Sequence, residues 1–328
     1  MEPITVAVAP HSDSVEAFER LERADRIPAG TRLVVLGDDG RAGPDARDAS
    51  VLWCRRPGPW GSFLDAALET LPGLRWLHTD TVGVNHLPLA ELAGRGITLT
   101  NGAGNFARPM AEWVLLAMLA AAKHLPTFVR RSDAGVWEPS PTLRELDGTV
   151  ALLLGLGATN RIVADLAAPF GVEVRASTRR PRHTVPPGIA RMITGEAWRD
   201  ELPEADWIVL GVPLTDATER MIDDAALGAM KPDAWIINVA RGALIDEDAL
   251  ARALDDGRIG GAVLDALVEE PLPSSSPLWG RENVIIVPHH TWSSRQSWER
   301  MEGLFASGLS HWAAGEPMQN VIDPETGY

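Results

Sequence analysis

Short apolar runs alternate with amphipathic segments along residues 1–100 of the chain. The apolar runs have the length of buried strands and lie at 4–9, 33–36, 51–54, 75–78 and 97–99. The segments between them include 14–23 and 63–71, and 63–71 carries its apolar side chains at helical spacing. This pattern predicts a small α/β domain. A flexible junction at 101–105 and one long, mostly apolar helix at 109–125 are predicted to follow.

From residue 149 the alternation becomes regular. Strands are predicted at 149–154, 172–176, 206–210, 234–239, 261–264 and 283–287, with helices between them at 161–169, 220–228 and 246–256. Parallel strands joined by crossover helices form a doubly wound sheet of the Rossmann type, which binds ligands at the carboxyl ends of its strands. A further helix is predicted at 294–314. The expected fold class is therefore α/β with two domains.

The first strand of this regular region leads into a glycine turn. Apolar residues from Val150 to Leu154 run directly into Gly155-Leu-Gly157, and an alanine-rich apolar segment follows. Glycines allow a sharp strand-to-helix turn and let a pyrophosphate approach main-chain N–H groups at the positive end of the helix. The full dinucleotide fingerprint has a third glycine where this chain has Asn160. Taken alone, the turn fits a dinucleotide site and an ordinary ligand-free turn equally well.

Composition and charge exclude several classes of function. The 328 residues have ordinary hydrophobic and charged contents, and a net charge of −15 argues against nucleic acid and anionic membranes as partners. No signal peptide is seen, and the longest apolar run, at 113–122, is too short to span a bilayer. The single cysteine, Cys54, excludes an intrachain disulfide and a multi-cysteine metal site. We expect a reducing cytoplasmic location and no metal.

Scarce residue types exclude two enzyme classes. The only lysines are Lys123 and Lys231, and neither lies in the GxxxxGK[ST] loop of a P-loop nucleotide hydrolase. The only tyrosine is the last residue, Tyr328, so the Tyr-x-x-x-Lys pair expected of a short-chain dehydrogenase is absent.

Polar residues follow several of the predicted strands and should meet at one edge of the sheet. They are Thr178, Pro213, Arg241, Asp265 and His289. An arginine can bind a carboxylate at two points, and a histidine can pass a proton to a carbonyl oxygen near neutral pH.

Arg241, Glu270 and His289 would together suffice to reduce a 2-oxo acid beside a nicotinamide: a clamp, a carboxylate that orients the imidazole, and a proton donor. The residues alone leave another interpretation open. Arg241 would then cap a strand, Glu270 would be a surface acid, and His289 would be a turn histidine.

Several longer motifs resemble the D-isomer-specific 2-hydroxyacid dehydrogenases, and most closely their glyoxylate/hydroxypyruvate reductase branch. The matching segments are Leu154-Gly-Leu-Gly157, 212–218, Asn238-Val-Ala-Arg-Gly-Ala-Leu and on to 250, 264–273, and Val287-Pro-His289. The segments 83–86, 95–101 and 110–112 fit too, and 315–317 and 327–328 are similar to the tail of that branch. The resemblance spans roughly residues 75–328. It implies a flavodoxin-like substrate domain formed by 1–100 and 291–328, a dinucleotide-binding domain formed by 101–290, and a homodimer through the latter.

The resemblance also implies roles for single residues. Arg241 would bind the substrate carboxylate and keto oxygen, His289 would be the acid/base, and Glu270 its partner. Backbone N–H groups near Val82 and Gly83 would hold the substrate carboxylate. Asp265 would orient the nicotinamide carboxamide. The residues expected to contact the cofactor are Gly155, Gly157, Ala158, Thr159, Asn160, Thr178, Arg179, Arg180, Val212, Pro213, Thr218, Ala240 and Asp265.

Departures from the family pattern carry information of their own. Asn160 in place of the third glycine is expected to loosen or shift the first helix. Enzymes that use NAD place an acid about 20 residues past the glycines, whereas here Thr178 is followed by Arg179 and Arg180. Because Thr178 would not repel a 2′-phosphate and the arginines can pair with one, NADP(H) is favoured over NAD(H).

Near the acid/base, His290 and Trp292 stand where relatives usually carry smaller or apolar residues, and Trp292 is expected to reshape the substrate pocket. A second anionic group on the substrate would have to be met by arginines such as Arg55, Arg56, Arg108 and Arg295.

The sequence thus predicts an NADPH-dependent reductase of a small 2-oxo acid such as glyoxylate or hydroxypyruvate. Two alternatives stay open: a reductase of a larger phosphonate- or phosphate-bearing 2-oxo acid, and a dinucleotide-sensing binding protein or corepressor on the same scaffold.

Overall fold

A computed structural model describes residues 4–10, 12–55, 60–84, 86–139, 142–182 and 184–325. The chain divides into two compact units, one formed by Met1–Asn105 with Ser294–Tyr328 and the other by Phe106–Ser293. The sequence analysis placed these divisions at 100/101 and 290/291. Arg56, and the Gly327-Tyr328 tail used in the family resemblance, lie outside the described residues.

The first unit contains a parallel sheet of five strands. They are β1 (Thr5–Val8), β2 (Arg32–Val35), β3 (Val51–Cys54), β4 (Trp76–Thr79) and β5 (Thr98–Thr100), with helices α1 (Ser12–Arg23), α2 (Trp60–Thr70) and α3 (Leu89–Gly94). The strand order is β2-β1-β3-β4-β5, all neighbours being parallel. This is the flavodoxin-like order, as predicted.

The second unit begins with two helices where one was predicted. α4 (Ala107–Ala122) and α5 (Leu125–Asp133) meet at a bend of 71°. His124 between them has a left-handed backbone (φ 50°), and a proline follows at the start of α5. Both features interrupt a helix, so the single helix predicted at 109–125 is wrong at its C-terminal end.

The described helices include no single one long and apolar enough to cross a membrane; only the bent pair α4–α5 passes by length and composition. A buried core helix passes the same test, and much of α4, including Val114 and Met118, is buried in the core of the second unit.

A parallel sheet of seven strands forms the centre of the second unit. The strands are β6 (Val150–Leu154), β7 (Glu173–Thr178), β8 (Arg191–Thr194), β9 (Trp207–Leu210), β10 (Trp235–Asn238), β11 (Gly261–Leu264) and β12 (Val284–Ile286), with helices α6 (Ala158–Ala167), α7 (Asp224–Ala229) and α8 (Glu247–Asp255). The order β8-β7-β6-β9-β10-β11-β12 is the Rossmann order with one strand added. The predicted α/β fold class is confirmed.

Strand β6 shows why the sheet could be predicted from apolar runs. Leu152 and Leu154 lie in one core cluster, whereas Ala151 and Leu153 lie in another on the opposite face. Because side chains alternate between the faces of a strand, a sheet covered on both sides needs apolar residues at every position.

The chain returns to the first unit in helix α9 (Arg295–Ala314), close to the predicted 294–314. The Ser294 side chain caps it by accepting from the Ser297 N–H, and Gly315 ends it with φ 70°. Phe305 of α9 stacks on Trp53 of β3 with ring centroids 3.9 Å apart. This packing anchors the helix on the five-stranded sheet.

Candidate active site

The glycine turn between β6 and α6 is open on the side where a ligand would approach. Gly155 has φ 84°, and a Cβ there would lie 2.8 Å from the Gly211 carbonyl oxygen and from Val212 Cγ1. Gly157 is the N-cap of α6, and at this cap no described side chain accepts from the first N–H groups. Apart from the turn itself, no described atom lies within 4 Å of a Cβ placed on Gly157. The first turn of α6, with Ala158 and Thr159, therefore offers unscreened N–H groups to an anion.

Asn160 holds this turn instead of loosening it. Its side chain is buried, and its Nδ2 donates to the Gly155 carbonyl oxygen at 2.7 Å and to that of Leu154 at 3.4 Å. The amide occupies space that exists because Gly211 has no side chain. The expectation that Asn160 loosens or shifts the helix is therefore wrong: α6 starts directly after Gly157, with Asn160 tying it to the end of β6.

The end of β7 carries no acid beside the glycine turn. Ser177 Oγ accepts from the Gly155 N–H at 3.4 Å, and Thr178 Oγ1 donates to the Arg180 carbonyl oxygen at 2.9 Å. Arg179 and Arg180 are exposed, and Arg182 reaches back to the Leu156 carbonyl oxygen at 3.4 Å. Basic side chains therefore surround the position where a ribose-binding acid stands in NAD enzymes.

The loop after β9 is held by one threonine. Thr218 Oγ1 donates to the Pro213 carbonyl oxygen at 2.7 Å and accepts from the Thr215 N–H at 2.8 Å. Val212 at the start of this loop lies against Gly155. The predicted cofactor residues of 212–218 thus form one ordered turn next to the glycine turn.

Arg241 follows strand β10 in extended backbone conformation (φ −140°). The buried Asn238 fixes this strand end, since its Oδ1 accepts from the Ala240 N–H at 3.0 Å and its Nδ2 donates to the Arg241 carbonyl oxygen at 2.9 Å. Arg241 Nη1 donates to the Ala240 carbonyl oxygen at 2.8 Å. Across the described part of the chain, no carboxylate pairs with Arg241, so its guanidinium retains donors for an anion.

His289 and Glu270 are brought together as predicted from their motifs. His289 Nδ1 lies 2.9 Å from Glu270 Oε2, and about two fifths of each side chain is exposed, 43% and 40% respectively. Glu270 Oε1 also accepts from the Leu267 N–H at 3.0 Å. A carboxylate that accepts from Nδ1–H fixes the orientation of the ring and leaves Nε2 for a reactant.

The buried Asp265 shapes the loop that presents His289. Its Oδ1 accepts from the His290 N–H at 2.7 Å and the Thr291 N–H at 3.1 Å, and its Oδ2 accepts from Thr291 Oγ1 at 2.6 Å. The Asp265 carbonyl oxygen accepts from the N–H of His289, whose own backbone is left-handed (φ 47°). Asp265 thus has a structural task beside the role predicted toward the carboxamide.

Trp292 packs at the same loop. Its Nε1 donates to the His289 carbonyl oxygen at 2.9 Å, and its ring meets those of Phe106 and His290 edge-on, with centroids 5.4 and 5.5 Å apart. Trp292 therefore supports the backbone of His289, a contact that the sequence analysis did not foresee.

Val82 and Gly83, predicted to bind the substrate carboxylate, lie in the first unit just after β4. Asn101 Nδ2 donates to the Val82 carbonyl oxygen at 2.7 Å, and Thr81 Oγ1 donates to that of Gly83 at 3.2 Å. Neither the Val82 nor the Gly83 N–H donates to an acceptor within the described ranges. Because hydrogen bonds fix the two carbonyl groups while the two N–H groups have no acceptor in the described structure, this turn could bind an anion.

Three of the four arginines considered for a second substrate anion lie in the described part of the chain, and each forms an ion pair. Arg55 is buried, with Nη1 3.0 Å from Glu302 Oε1. Arg108 Nε lies 2.6 Å from Glu112, and the exposed Arg295 lies 3.5 Å from Glu299. The expectation for Arg55 is wrong, because a buried, paired guanidinium cannot reach a substrate. Nor do the described residues contain a group of three or more side chains that could hold a metal ion.

A family model for the NAD-binding domain of D-isomer specific 2-hydroxyacid dehydrogenases matches residues 115–291. The chain belongs to this family. It is an oxidoreductase, and a nicotinamide dinucleotide is its cofactor.

Relatives that cover most of the chain, and one solved structure, agree with this family of dehydrogenases. The chain is 31% identical to a glyoxylate reductase of Korarchaeum cryptofilum over 264 residues, 78% of each protein. It is 33% identical to a glyoxylate reductase of Thermococcus litoralis over 269 residues, 79% of this chain and 80% of that one. A solved D-isomer specific 2-hydroxyacid dehydrogenase from Xanthobacter autotrophicus Py2, in complex with NADPH and MES, covers 100% of both chains at 27% identity and a TM-score of 0.83.

The residues of this dehydrogenase fit the dinucleotide. The open space over Gly157 and the uncapped start of α6 leave room for a pyrophosphate. The unpaired Arg241 and the His289–Glu270 pair follow strands of the same sheet. Sequence reasoning missed Asn238, which fixes the strand end before Arg241. A polar residue ending an apolar strand was the available signal for it.

Proposed function

We propose that the enzyme reduces a small 2-oxo acid of the glyoxylate/hydroxypyruvate type to the D-2-hydroxy acid with NADPH. The observation that carries the proposal is the His289–Glu270 pair, 2.9 Å apart, at the carboxyl edge of the sheet that also ends in the open glycine turn. The relatives named glyoxylate reductase support the substrate class.

The residues divide the chemistry between them. When bound, the reduced nicotinamide supplies a hydride to the keto carbon. The imidazolium of His289 gives the Nε2 proton to the keto oxygen, so that the C=O becomes CH–OH. Glu270 keeps the ring oriented through Nδ1 and stabilises its positive charge.

In the second unit, binding of the substrate acid is assigned to Arg241. Arg241 offers a planar fork to the carboxylate and keto oxygen, and in the described structure no carboxylate competes for it. The open N–H groups after β4 support the predicted carboxylate contact in the first unit. Trp292, which packs on the backbone of His289, is proposed to limit the size of the substrate side chain.

A preference for NADP(H) over NAD(H) is part of the proposal. Thr178 ends β7 without a carboxylate, and Arg179 and Arg180 lie exposed beside it. A 2′-phosphate would gain charge-assisted hydrogen bonds there, and no acid at the strand end would repel it. The complex of the Xanthobacter relative with NADPH supports this choice.

We also propose a homodimer formed by the second unit. Apolar side chains are exposed along α5 and the segment after it, at Leu125, Phe128, Val129, Val136 and Trp137, with Trp137 100% exposed. Such a patch is unusual on a monomer surface. Sedimentation should give twice the chain mass for the wild type and a lower mass for Val129→Asp; a monomeric wild type would refute the dimer.

The test of the function is oxidation of NADPH and NADH by the purified enzyme with a panel of 2-oxo acids, some bearing a phosphate or phosphonate. We expect turnover of glyoxylate or hydroxypyruvate, with kcat/KM at least tenfold higher for NADPH. A preference for NADH would overturn the cofactor assignment. Turnover confined to the dianionic acids would replace the substrate class, although Arg55, Arg108 and Arg295 no longer support it. Tight dinucleotide binding without turnover of any acid would favour the sensing protein.

A further inference from the structure

The loops that follow β10 and β11 touch backbone to backbone. Gly242, next to Arg241, lies so close to Leu267 and Val268 that a Cβ on it would overlap their main-chain atoms. The loop of Arg241 and the loop of Glu270 are therefore packed as one surface, with no side chain between them.

Two carboxylates hold consecutive peptide groups of the second loop. Glu270 Oε1 accepts from the Leu267 N–H at 3.0 Å, and Glu247 Oε1 accepts from the Val268 N–H at 2.7 Å. The Val268 side chain is 60% exposed, so side-chain packing does little to fix this peptide. The hydrogen bond that Glu247 accepts from the Val268 N–H therefore fixes this peptide.

Glu247 comes from a rigid part of the fold. It is the first residue of α8, whose N-cap Asp246 accepts from the Ala249 N–H. Ala249 and Leu250 are buried in the core, which keeps the start of the helix in place. Burial raises the pKa of the Glu247 carboxyl, with Asp248 and Glu270 adding to the rise and the bond from Val268 opposing it.

We propose that Glu247 is a positioning residue for proton transfer. By fixing the Val268 peptide, it sets the Leu267 N–H that holds one oxygen of Glu270, while the other oxygen stays on His289 Nδ1. This inference rests on the proposed roles of Glu270 and His289. Glu247 would act on the orientation of the His289 imidazole through the Val268 and Leu267 N–H groups and Glu270, and would itself contact neither substrate nor cofactor.

Two variants of Glu247 separate the hydrogen bond from the charge. Glu247→Ala removes the acceptor for the Val268 N–H, and kcat should fall about fivefold to twentyfold, because His289 then loses a fixed partner. Glu247→Gln keeps an acceptor oxygen of the same reach, so kcat should recover to within about twofold of the wild type. In both variants the KM for the 2-oxo acid and the Kd for NADPH, followed by its fluorescence, should change by less than about twofold.

The matched control is Asp248→Ala. Asp248 is the next acid in the first turn of α8 and is exposed, but it makes no bond to the 267–268 peptides. Like Glu247→Ala, this substitution removes one negative charge from the start of α8, and kcat should stay within about twofold of the wild type.

The outcomes distinguish this inference from the function on which it rests. If Glu247→Ala matches Asp248→Ala in kcat while His289→Ala is inactive, Glu247 has no positioning role and the proposed function stands. An equal loss in Glu247→Ala and Glu247→Gln would also overturn the inference, because the acceptor would then be irrelevant. If His289→Ala keeps full activity, the function itself is wrong.

Discussion

Two clusters of charged side chains, one in each unit, differ in burial and in the number of partners. In the first unit Arg55 is sealed between β3 and α9, with Glu302 at 3.0 Å and Asp80 at 3.9 Å. Its side chain is 3% exposed, and its guanidinium also lies over the Trp53 ring. In the second unit His289 and Glu270 are about two-fifths exposed. One group is enclosed by its own partners; the other keeps a side open.

The contrast teaches how to separate structural from reactive charges. In the cluster of Arg55, Asp80 and Glu302 the charged groups pair with one another. Arg20 places a second guanidinium 2.6 Å from Glu302. Glu270 instead has a backbone N–H on one oxygen and the imidazole on the other, which leaves Nε2 of His289 for a reactant. Removing a member of the first group should harm folding, whereas removing a member of the second should harm turnover.

The largest expected effect is on turnover. His289→Ala should lower kcat by roughly two to four decades, because no other described side chain occupies the proton donor's place beside Glu270. The midpoint of thermal unfolding should shift by little, since the side chain is half-exposed and its loop is held by Asp265. Unchanged turnover in a stopped-flow assay would remove His289 from the mechanism.

The second largest effect is expected from Arg55→Met, which should lower the free energy of unfolding without a comparable loss of turnover. The variant leaves the Asp80 carboxylate buried without its guanidinium and leaves Glu302 with Arg20 alone. Breaking a buried ion pair costs about 3 kcal/mol or more of unfolding free energy. Urea unfolding measures it.

The double variant Arg55→Met/Glu302→Gln should recover part of that loss, because it also removes the charge of Glu302, which Arg20 alone would otherwise balance. A single variant as stable as the wild type would mean that the cluster does not stabilise the unit.

The smallest effect is a dependence of stability on pH. Burial by itself raises the pKa of the Glu302 carboxyl, but hydrogen bonds from Arg20 and Arg55 outweigh it and hold that pKa below its ordinary value. A lowered carboxyl pKa stabilises the fold above the unfolded value of about 4.3, and this contribution disappears as the pH falls through the folded value. The stability difference between wild type and Glu302→Gln should therefore shrink on acidification below about pH 4. A difference that is constant with pH would contradict the assigned pairing.

The elements that sequence reasoning found were those fixed by local patterns. Six strands of the Rossmann sheet were predicted. Five of them are apolar on both faces, whereas β7 alternates apolar residues with Arg175 and Ser177. β8 was missed because it exposes Arg191 and Thr194 and fully buries only Ile193, so it lacks an apolar run. α5 was missed because Pro126 marks only a helix boundary in the sequence, and the left-handed backbone of His124, after which a second helix begins, has no sequence signature.

The site divides in the same way. Arg241, Glu270 and His289 follow strands or carry motifs, so their residue types and spacing indicated them. The burial of Arg55 depends on α9, which is distant along the chain, and the hydrogen bond from Val268 to Glu247 joins two loops that only the fold brings together. Contacts of that kind are set by three-dimensional packing and are not encoded in local spacing.

The third position of the glycine fingerprint has a further consequence for comparing sequences. Asn160 fits because Gly211, at the end of β9, has no Cβ: one added there would overlap the Asn160 amide. The two positions share the volume of a single side chain, so they are exchangeable only as a pair. A relative with glycine at the position of Asn160 should therefore have room for alanine opposite, and an amide should be found only where glycine faces it.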